Sequence, residues 1–222
     1  MPAFERLTGV AAPLPEADID TDIIFPARFL LLMDKAGLGR HLFHERRFKP
    51  ATDRAPFVLN TPPFDHAAIL VAGRNFGSGS SREHAVWALL DFGIRCVIAP
   101  SFGEIFHANC FKNGLLAIAL EEARVDRVMA AAATGSPLTV DLAAGSIALP
   151  DSEKIPFGID RHHRRLLLLG LDEIGGILAE DAEDIARFER SQRLAAPWLY
   201  LEPAQLAHFD DIDPEESGRR QP

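Results

Sequence analysis

Apolar and polar positions alternate with two different periods between residues 63 and 120, and they predict strands and helices in turn. The continuous apolar run over 67–72 is typical of a strand that is covered on both faces. Apolar side chains recur at helical spacing over 80–92, and Gly93 is placed to end that helix. The segment therefore begins as a strand, a polar loop and a helix.

Two further strands are predicted at 96–99 and 115–120, with a helix over 102–112 between them. Strands that alternate with helices at this spacing favour a parallel sheet built from crossover units. Side chains that act on a ligand are then expected at the carboxyl ends of the strands.

The rest of the chain predicts a mixed architecture. The proline-rich N-terminal third should consist mostly of loops. The later predicted elements are a helix over 121–133, a hairpin over 138–149, a strand over 155–159 and helices over 160–178 and 180–194. The pattern predicts a layered α/β domain over 1–200 with a mostly parallel central sheet and C-terminal helices. Residues 201–222 are expected to form a flexible acidic tail.

Composition and charge indicate which classes of partner and which compartment to expect. The chain has 222 residues, of which 47% are hydrophobic and 25% charged, as in ordinary globular proteins. A net charge of −9 disfavours nucleic acid or an anionic membrane as a partner. No leader is recognisable at the N-terminus, and no apolar run approaches the ~18 residues of a membrane span. These observations indicate a cytoplasmic protein.

The two cysteines, Cys96 and Cys110, are too few for a disulfide framework or for an iron–sulfur or structural zinc centre on this chain alone. His41 and His44 form a two-ligand pattern, as do His107 and Cys110, and neither has a third ligand at zinc spacing. We therefore expect no metal on this chain.

The loop over 73–84 carries the candidate chemistry. It joins a buried strand to a helix through Gly, Asn and Ser residues whose backbone amides can bind an anion, and Arg82 adds a guanidinium that can grip a carboxylate at two points. The same residues, Ser80 to Glu83, also match a helix-capping box, so ordinary capping is an equal alternative. The loop lacks the Gly-Lys-Ser/Thr that a P-loop requires, and Arg82 stands where the dinucleotide fingerprint requires Gly or Ala.

Three segments together resemble a known family. They read Asp-Thr-Asp-Ile-Ile-Phe-Pro at 20–26, Asn-Phe-Gly-Ser-Gly-Ser-Ser-Arg-Glu-His-Ala at 75–85 and Ala-Pro-Ser-Phe-Gly-Glu-Ile-Phe at 99–106, followed by Asn109. In this order and spacing the chain resembles, from about residue 1 to about 200, the swivel-domain family of aconitase-like hydro-lyases. The resemblance is to the branch in which the swivel domain is a separate small subunit, and it implies an aconitase swivel-like fold.

The resemblance implies a partner and a cofactor. In that family a large subunit holds a [4Fe–4S] cluster and most catalytic residues, and the swivel domain closes over the substrate. A heterodimer with such a large subunit, inactive as separate chains, and a small hydroxy-dicarboxylate substrate are expected. The implied reaction interconverts 2- and 3-isopropylmalate by removal and return of water, a step in leucine synthesis.

Site residues carried over from the family fall in two segments. By resemblance, Ser80 is the base that removes a proton from carbon, whereas Ser81 and Arg82, with Gly79 in the same loop, bind a substrate carboxylate. Thr21 and Asp22 match positions at the active-site edge, Asp22 with a catalytic role and Thr21 with a binding role. Without the resemblance, Thr21 and Asp22 would be interpreted as an ordinary turn.

A third segment matches the neighbourhood of the family's specificity loop. Its residues are Arg28, Phe29, Leu30, Leu31, Leu32 and Met33. Mostly apolar side chains suit an isopropyl group, although an apolar run is more often core, and Arg28 leaves a tricarboxylate substrate open. Ser78 stands where many family members have cysteine.

Two rival functions stay open at this point. One is a related hydro-lyase that acts on 2-methylmalate and citraconate or on homoaconitate. The other is a non-catalytic anion-binding module that has kept the fold.

Overall fold

The computed structural model describes residues 1–32, 34–48 and 56–201. Its strands are β1 Arg6–Leu14, β2 Ile69–Ala72, β3 Cys96–Ala99, β4 Leu116–Ala119, β5 Pro137–Asp141, β6 Ser146–Ala148 and β7 Lys154–Pro156. Its helices are α1 Thr21–Ile24, α2 His44–Arg47, α3 His84–Phe92, α4 Glu104–Asn113, α5 Glu122–Ala132, α6 Arg161–Leu169, α7 Glu173–Glu180 and α8 Ala182–Ala195. Short 3-10 turns occupy Ala27–Phe29, Gly39–His41, Val58–Asn60, Phe64–His66 and Pro197–Leu199.

The seven strands form one sheet in the order β4-β3-β2-β1-β5-β6-β7. Strands β1 to β4 pair in parallel, and for β2, β3 and β4 the alternation of strands and helices predicted this. Strands β5 to β7 continue the sheet as antiparallel neighbours. The predicted layered α/β fold with its parallel central strands is therefore confirmed.

Strand β1 is the centre of the sheet, although the sequence predicted loops there. Residues 6–10 pair with β5, whereas residues 11–14 pair with β2. Pro13 pairs with Val71 of β2 and lies beyond the stretch that pairs with β5. Because proline has no amide hydrogen to donate, it is tolerated where one side of the strand needs no ladder bond.

The core lies against β2 and β3, whose side chains are all buried, as continuous apolar runs predict. Helix α3 packs Ala85, Val86, Ala88 and Leu89 into this core. Burial on both faces explains why these strands lack the alternation of a half-exposed sheet.

Two predicted helices differ from the observed ones. The helix expected over 160–178 ends at Leu169, because Gly170 adopts φ of +68° and its amide caps the carbonyls of Leu166 and Leu167. Helix α7 then begins at Glu173. The helix expected from Ser80 begins only at His84.

By their contacts, the residues form two compact units that divide after Gly176. The predicted single domain over 1–200 stays a prediction, and the predicted tail lies, from residue 202, outside the described residues. Within the described part of the chain, no helix has the length and apolarity needed to cross a membrane.

Candidate active site

The candidate site lies where the loops after β1, β2 and β3 meet at the carboxyl edge of the parallel strands. The Gly77 amide donates to the Ile19 carbonyl at 2.7 Å, and the Thr21 amide donates to the Ser78 carbonyl at 2.8 Å. The Gly103 amide donates to the Phe76 carbonyl at 2.9 Å. These backbone bonds fix the loop over 73–83 against both of its neighbours.

Two glycines allow this close approach. A Cβ on Gly77 would lie 2.2 Å from the Phe106 ring, and Gly77 also adopts φ of +75°. A Cβ on Gly103 would lie 2.6 Å from the Gly77 carbonyl oxygen. Since both contacts are below any real Cβ distance, these positions require glycine.

The predicted base, Ser80, is held by Thr21. The Thr21 hydroxyl lies 2.8 Å from the Ser80 hydroxyl, and either oxygen can donate the proton. Thr21 is buried at the start of α1, which Asp20 caps by accepting the Ile23 amide at 2.7 Å. A donating threonine would stabilise negative charge on the Ser80 oxygen, which a serine base requires.

Arg82 and Asp22 form an ion pair through Nη1 and Oδ1. The Asp22 side chain is 56% exposed and that of Arg82 is 25% exposed. Asp22 therefore contacts the guanidinium of Arg82. The other guanidinium donors remain available to a carboxylate.

Ser81 is exposed, and its backbone carbonyl accepts a hydrogen bond from α4. The Asn109 side-chain amide on α4 donates to the Ser81 carbonyl at 3.2 Å. Asn109 belongs to the quoted motif, but this contact was not predicted, because it joins positions 28 residues apart.

A depression of about 170 Å³ opens beside Ser80. It is lined by Gly77, Ser78, Gly79, Ser80, Gly103, Glu104, Ile105 and Phe106. Gly103 and Glu104 were quoted in the family motif without a role, and they lie at this site. Because Ser80 is half-buried and Ser81 exposed, the serines are open to a ligand presented from outside the chain.

The capping box, which was the equal alternative for Ser80 to Glu83, does not form. Glu83 is the N-cap of α3 and makes no side-chain cap bond, while the Val86 and Trp87 amides donate to the Glu83 carbonyl. Ser80 and Ser81 precede α3, so their backbone amides are not part of the first turn of that helix. The loop backbone is instead engaged by the tertiary bonds described above.

His84, which lies within the quoted family motif, packs as an aromatic ring. Its ring centre lies 5.9 Å from that of Phe25, which it stacks upon, and 4.6 Å from that of Trp87. Its Nε2 is buried without a hydrogen-bond partner. The contacts of the His84 ring are therefore aromatic stacking contacts.

The predicted specificity loop divides between core and surface. Phe29, Leu30 and Leu32 pack against the core, whereas Leu31 is 90% exposed. Arg28 forms an ion pair with Glu45 of α2. Met33 lies outside the described residues.

The described residues offer no place for a metal cluster. No group of three His, Cys, Asp or Glu residues within the described ranges could hold a metal ion. Both cysteines are buried free thiols, and burial raises the pKa of Cys96 and Cys110 well above the usual value. Because iron is bound by thiolates, these two thiols do not fit an iron–sulfur cluster.

Comparisons with known proteins place this geometry in a family. The model of the aconitase C-terminal domain matches residues 1–123. A 3-isopropylmalate dehydratase small subunit from Parvibaculum lavamentivorans is 52% identical over 202 residues, which cover 90% of this chain and 100% of that protein. One from Rhodospirillum centenum is 53% identical, covering 89% and 98%. The chain belongs to the family of 3-isopropylmalate dehydratase small subunits.

A solved structure agrees with this assignment. The crystal structure of 3-isopropylmalate dehydratase from Methanocaldococcus jannaschii matches with a TM-score of 0.62 at 25% identity, covering 82% of this chain and 99% of that one. The resemblance found in the sequence is confirmed, and so is the fold that it implied. The roles of individual site residues stay predictions.

Proposed function

We propose that the chain is the small subunit of a hydro-lyase that interconverts 2- and 3-isopropylmalate in leucine synthesis. The observation that carries this is the Ser80 hydroxyl held by Thr21 at an open site, close in sequence to Ser81 and to Arg82, which pairs with Asp22. The printed names of relatives near 50% identity support the same activity.

In this proposal Ser80 acts as an alkoxide, which a hydrogen bond donated by the Thr21 hydroxyl stabilises, and it removes the proton from the carbon next to the one that bears the leaving hydroxyl. Elimination of water leaves an alkylmaleate, and its hydration at the other carbon gives the isomer. Arg82 and the Ser81 hydroxyl bind a substrate carboxylate beside the exposed backbone of Gly79. Asp22 orients the Arg82 guanidinium through their ion pair.

The partner in this proposal is a large subunit that carries a [4Fe–4S] cluster. When bound there, the cluster would supply a Lewis acid at the substrate hydroxyl and one carboxylate. The small subunit adds the base and the carboxylate-binding groups, so both chains are needed for turnover. A cytoplasmic location fits the two free cysteines, since reducing compartments keep thiols unpaired.

The substrate side chain in this proposal is apolar. Arg28 was the reason for considering a tricarboxylate substrate, but its charge is already neutralised by the ion pair with Glu45. The neighbouring Leu31 projects into solvent from the same segment and could contact an alkyl group presented there. This arrangement favours isopropylmalate over homoaconitate.

The test is reconstitution with candidate large subunits under anaerobic conditions, followed by absorbance of the unsaturated diacid. We expect turnover of 3-isopropylmalate by the pair and none by this chain alone. A panel with 2-methylmalate and homocitrate separates the related hydro-lyases. Preference for homocitrate, or no activity with any active large subunit, would overturn the proposal.

A further inference from the structure

Two polar side chains stand out in the otherwise apolar core. Among the residues that the structure describes, Thr21 and Asn109 are the buried polar ones, 1% and 6% exposed. Each contacts one of two consecutive serines: Thr21 the hydroxyl of Ser80 at 2.8 Å, and Asn109 the carbonyl of Ser81 at 3.2 Å. Because buried polar groups are costly unless bonded, both contacts are specific features of this loop.

Asn109 is itself held by a network. One turn further along α4, the Asn113 amide donates to the Asn109 carbonyl at 2.9 Å. The Trp87 indole of α3 donates to the Asn113 side-chain oxygen at 2.9 Å. Lys35, which follows the predicted specificity segment, lies 3.4 Å from that oxygen and 4.6 Å from the Trp87 ring centre. The network therefore ties two helices and this segment to Ser81.

The loop needs such a contact, because no side chain caps α3 and Ser81 is exposed. Without the Asn109 donor, the Ser81 carbonyl would turn to water and the Ser81 and Arg82 side chains would lose their fixed direction. Orientation of binding groups is worth large factors in enzyme rates and affinities.

We propose that Asn109 is a positioning residue for the reaction, and that Asn113 and Trp87 hold it in place. Its amide fixes the Ser81 backbone so that Ser81 and Arg82 meet the substrate carboxylate. The inference rests on the proposed function. It also assigns different roles to the two buried residues. Thr21 contacts the hydroxyl of Ser80, the proposed base, whereas Asn109 contacts the backbone of Ser81, which binds the substrate.

The test is steady-state kinetics of the reconstituted enzyme with Asn109→Asp, which keeps the size but removes the donor. We expect KM for 3-isopropylmalate to rise about tenfold with kcat within about threefold, the effect of one lost hydrogen bond on binding. Thr21→Val should show the opposite split, with the loss in kcat. Asn60→Asp is the matched control, because Asn60 also donates to a backbone carbonyl, that of Arg47, at 2.7 Å.

A pH series adds a readout that a purely structural role would not move. The buried acid of Asn109→Asp should have a raised pKa and, once protonated, can donate to the Ser81 carbonyl again. We therefore expect KM of this variant to recover as pH falls from about 8.5 to 6, while the wild-type KM does not follow. If Asn109→Asp fails to fold, Asn113→Leu should raise KM about threefold, as expected for loss of an indirect contact.

The outcomes separate this inference from the proposed function. An inactive wild-type pair would overturn the proposed function, and this inference with it. An active wild-type enzyme whose KM is unchanged by Asn109→Asp, or changed equally by Asn60→Asp, would overturn the role of Asn109 alone.

Discussion

At the scale of single residues, long-range contacts decide the chemistry. The Thr21–Ser80 contact joins residues 59 apart, and the Asp22–Arg82 pair joins residues 60 apart. Spacing along the chain cannot reveal such pairs, so only the family resemblance pointed to Thr21 and Asp22. The loop itself was predictable, because Gly and Ser residues between a strand and a helix have a local signature.

Arg82 should bind the substrate carboxylate through its planar fork. We expect Arg82→Lys to raise KM of the reconstituted enzyme at least tenfold, because an ammonium cannot make two parallel hydrogen bonds. Arg74→Lys, at an exposed position near the start of the same loop, is the control and should leave KM unchanged. Similar KM values for Arg82→Lys and wild type would exclude the two-point contact.

At the scale of elements, apolar runs predicted β2, β3 and β4 correctly, because strands buried on both faces carry a strong signal. Strand β1 was missed, since its two halves pair with different neighbours and it contains Gly9 and Pro13. The start of α3 was misplaced by four residues, because tertiary bonds to Ser78 and Ser81 keep the preceding loop out of the helix.

The packing of β1 can be tested at Gly9. A Cβ there would lie 2.8 Å from the Ala68 methyl group, just before β2. We expect Gly9→Ala to lower the free energy of unfolding by about 1–3 kcal/mol, the usual cost of overpacking. The double variant Gly9→Ala/Ala68→Gly should recover most of it in urea denaturation. Strictly additive losses would show that the two residues do not meet.

At the scale of the whole molecule, the chain has a buried core and an open site. Within the described ranges, Ser80 and Arg82 lie at this open site, and no group of three His, Cys, Asp or Glu residues could hold a metal ion. Because the site consists of a few polar side chains without a metal-binding group, composition predicted a globular protein but not its reaction. For the same reason, the reaction was inferred from a sequence motif and not from the hydrophobic pattern.

The buried thiols predict a loss of stability at alkaline pH. Burial raises the pKa of Cys96 and Cys110 above the ordinary value of 9.0, so only the unfolded chain ionises them near that pH. The contribution of the two neutral thiols to the free energy of unfolding is complete below the ordinary pKa. It is lost as the pH rises towards the raised pKa of the folded state, at roughly 1 kcal/mol per pH unit for each thiol. Urea denaturation between about pH 8 and 10.5 measures this slope. Cys96→Ala/Cys110→Ala should flatten it, and an unchanged slope would contradict the assignment.

The central claim is that the Ser80 oxygen takes the proton, with the Thr21 hydroxyl bonded to it, whereas Ser81 and Arg82 bind the substrate. The most direct measurement is kcat of the reconstituted enzyme carrying Ser80→Ala, beside Ser78→Ala as a control from the same depression. We predict that Ser80→Ala lowers kcat by about 10²–10⁴, as for loss of a general base, with an unchanged melting temperature because Ser80 does not cap α3. Ser78→Ala should stay near wild type. Full turnover by Ser80→Ala, or an equal loss in both variants, would contradict the account.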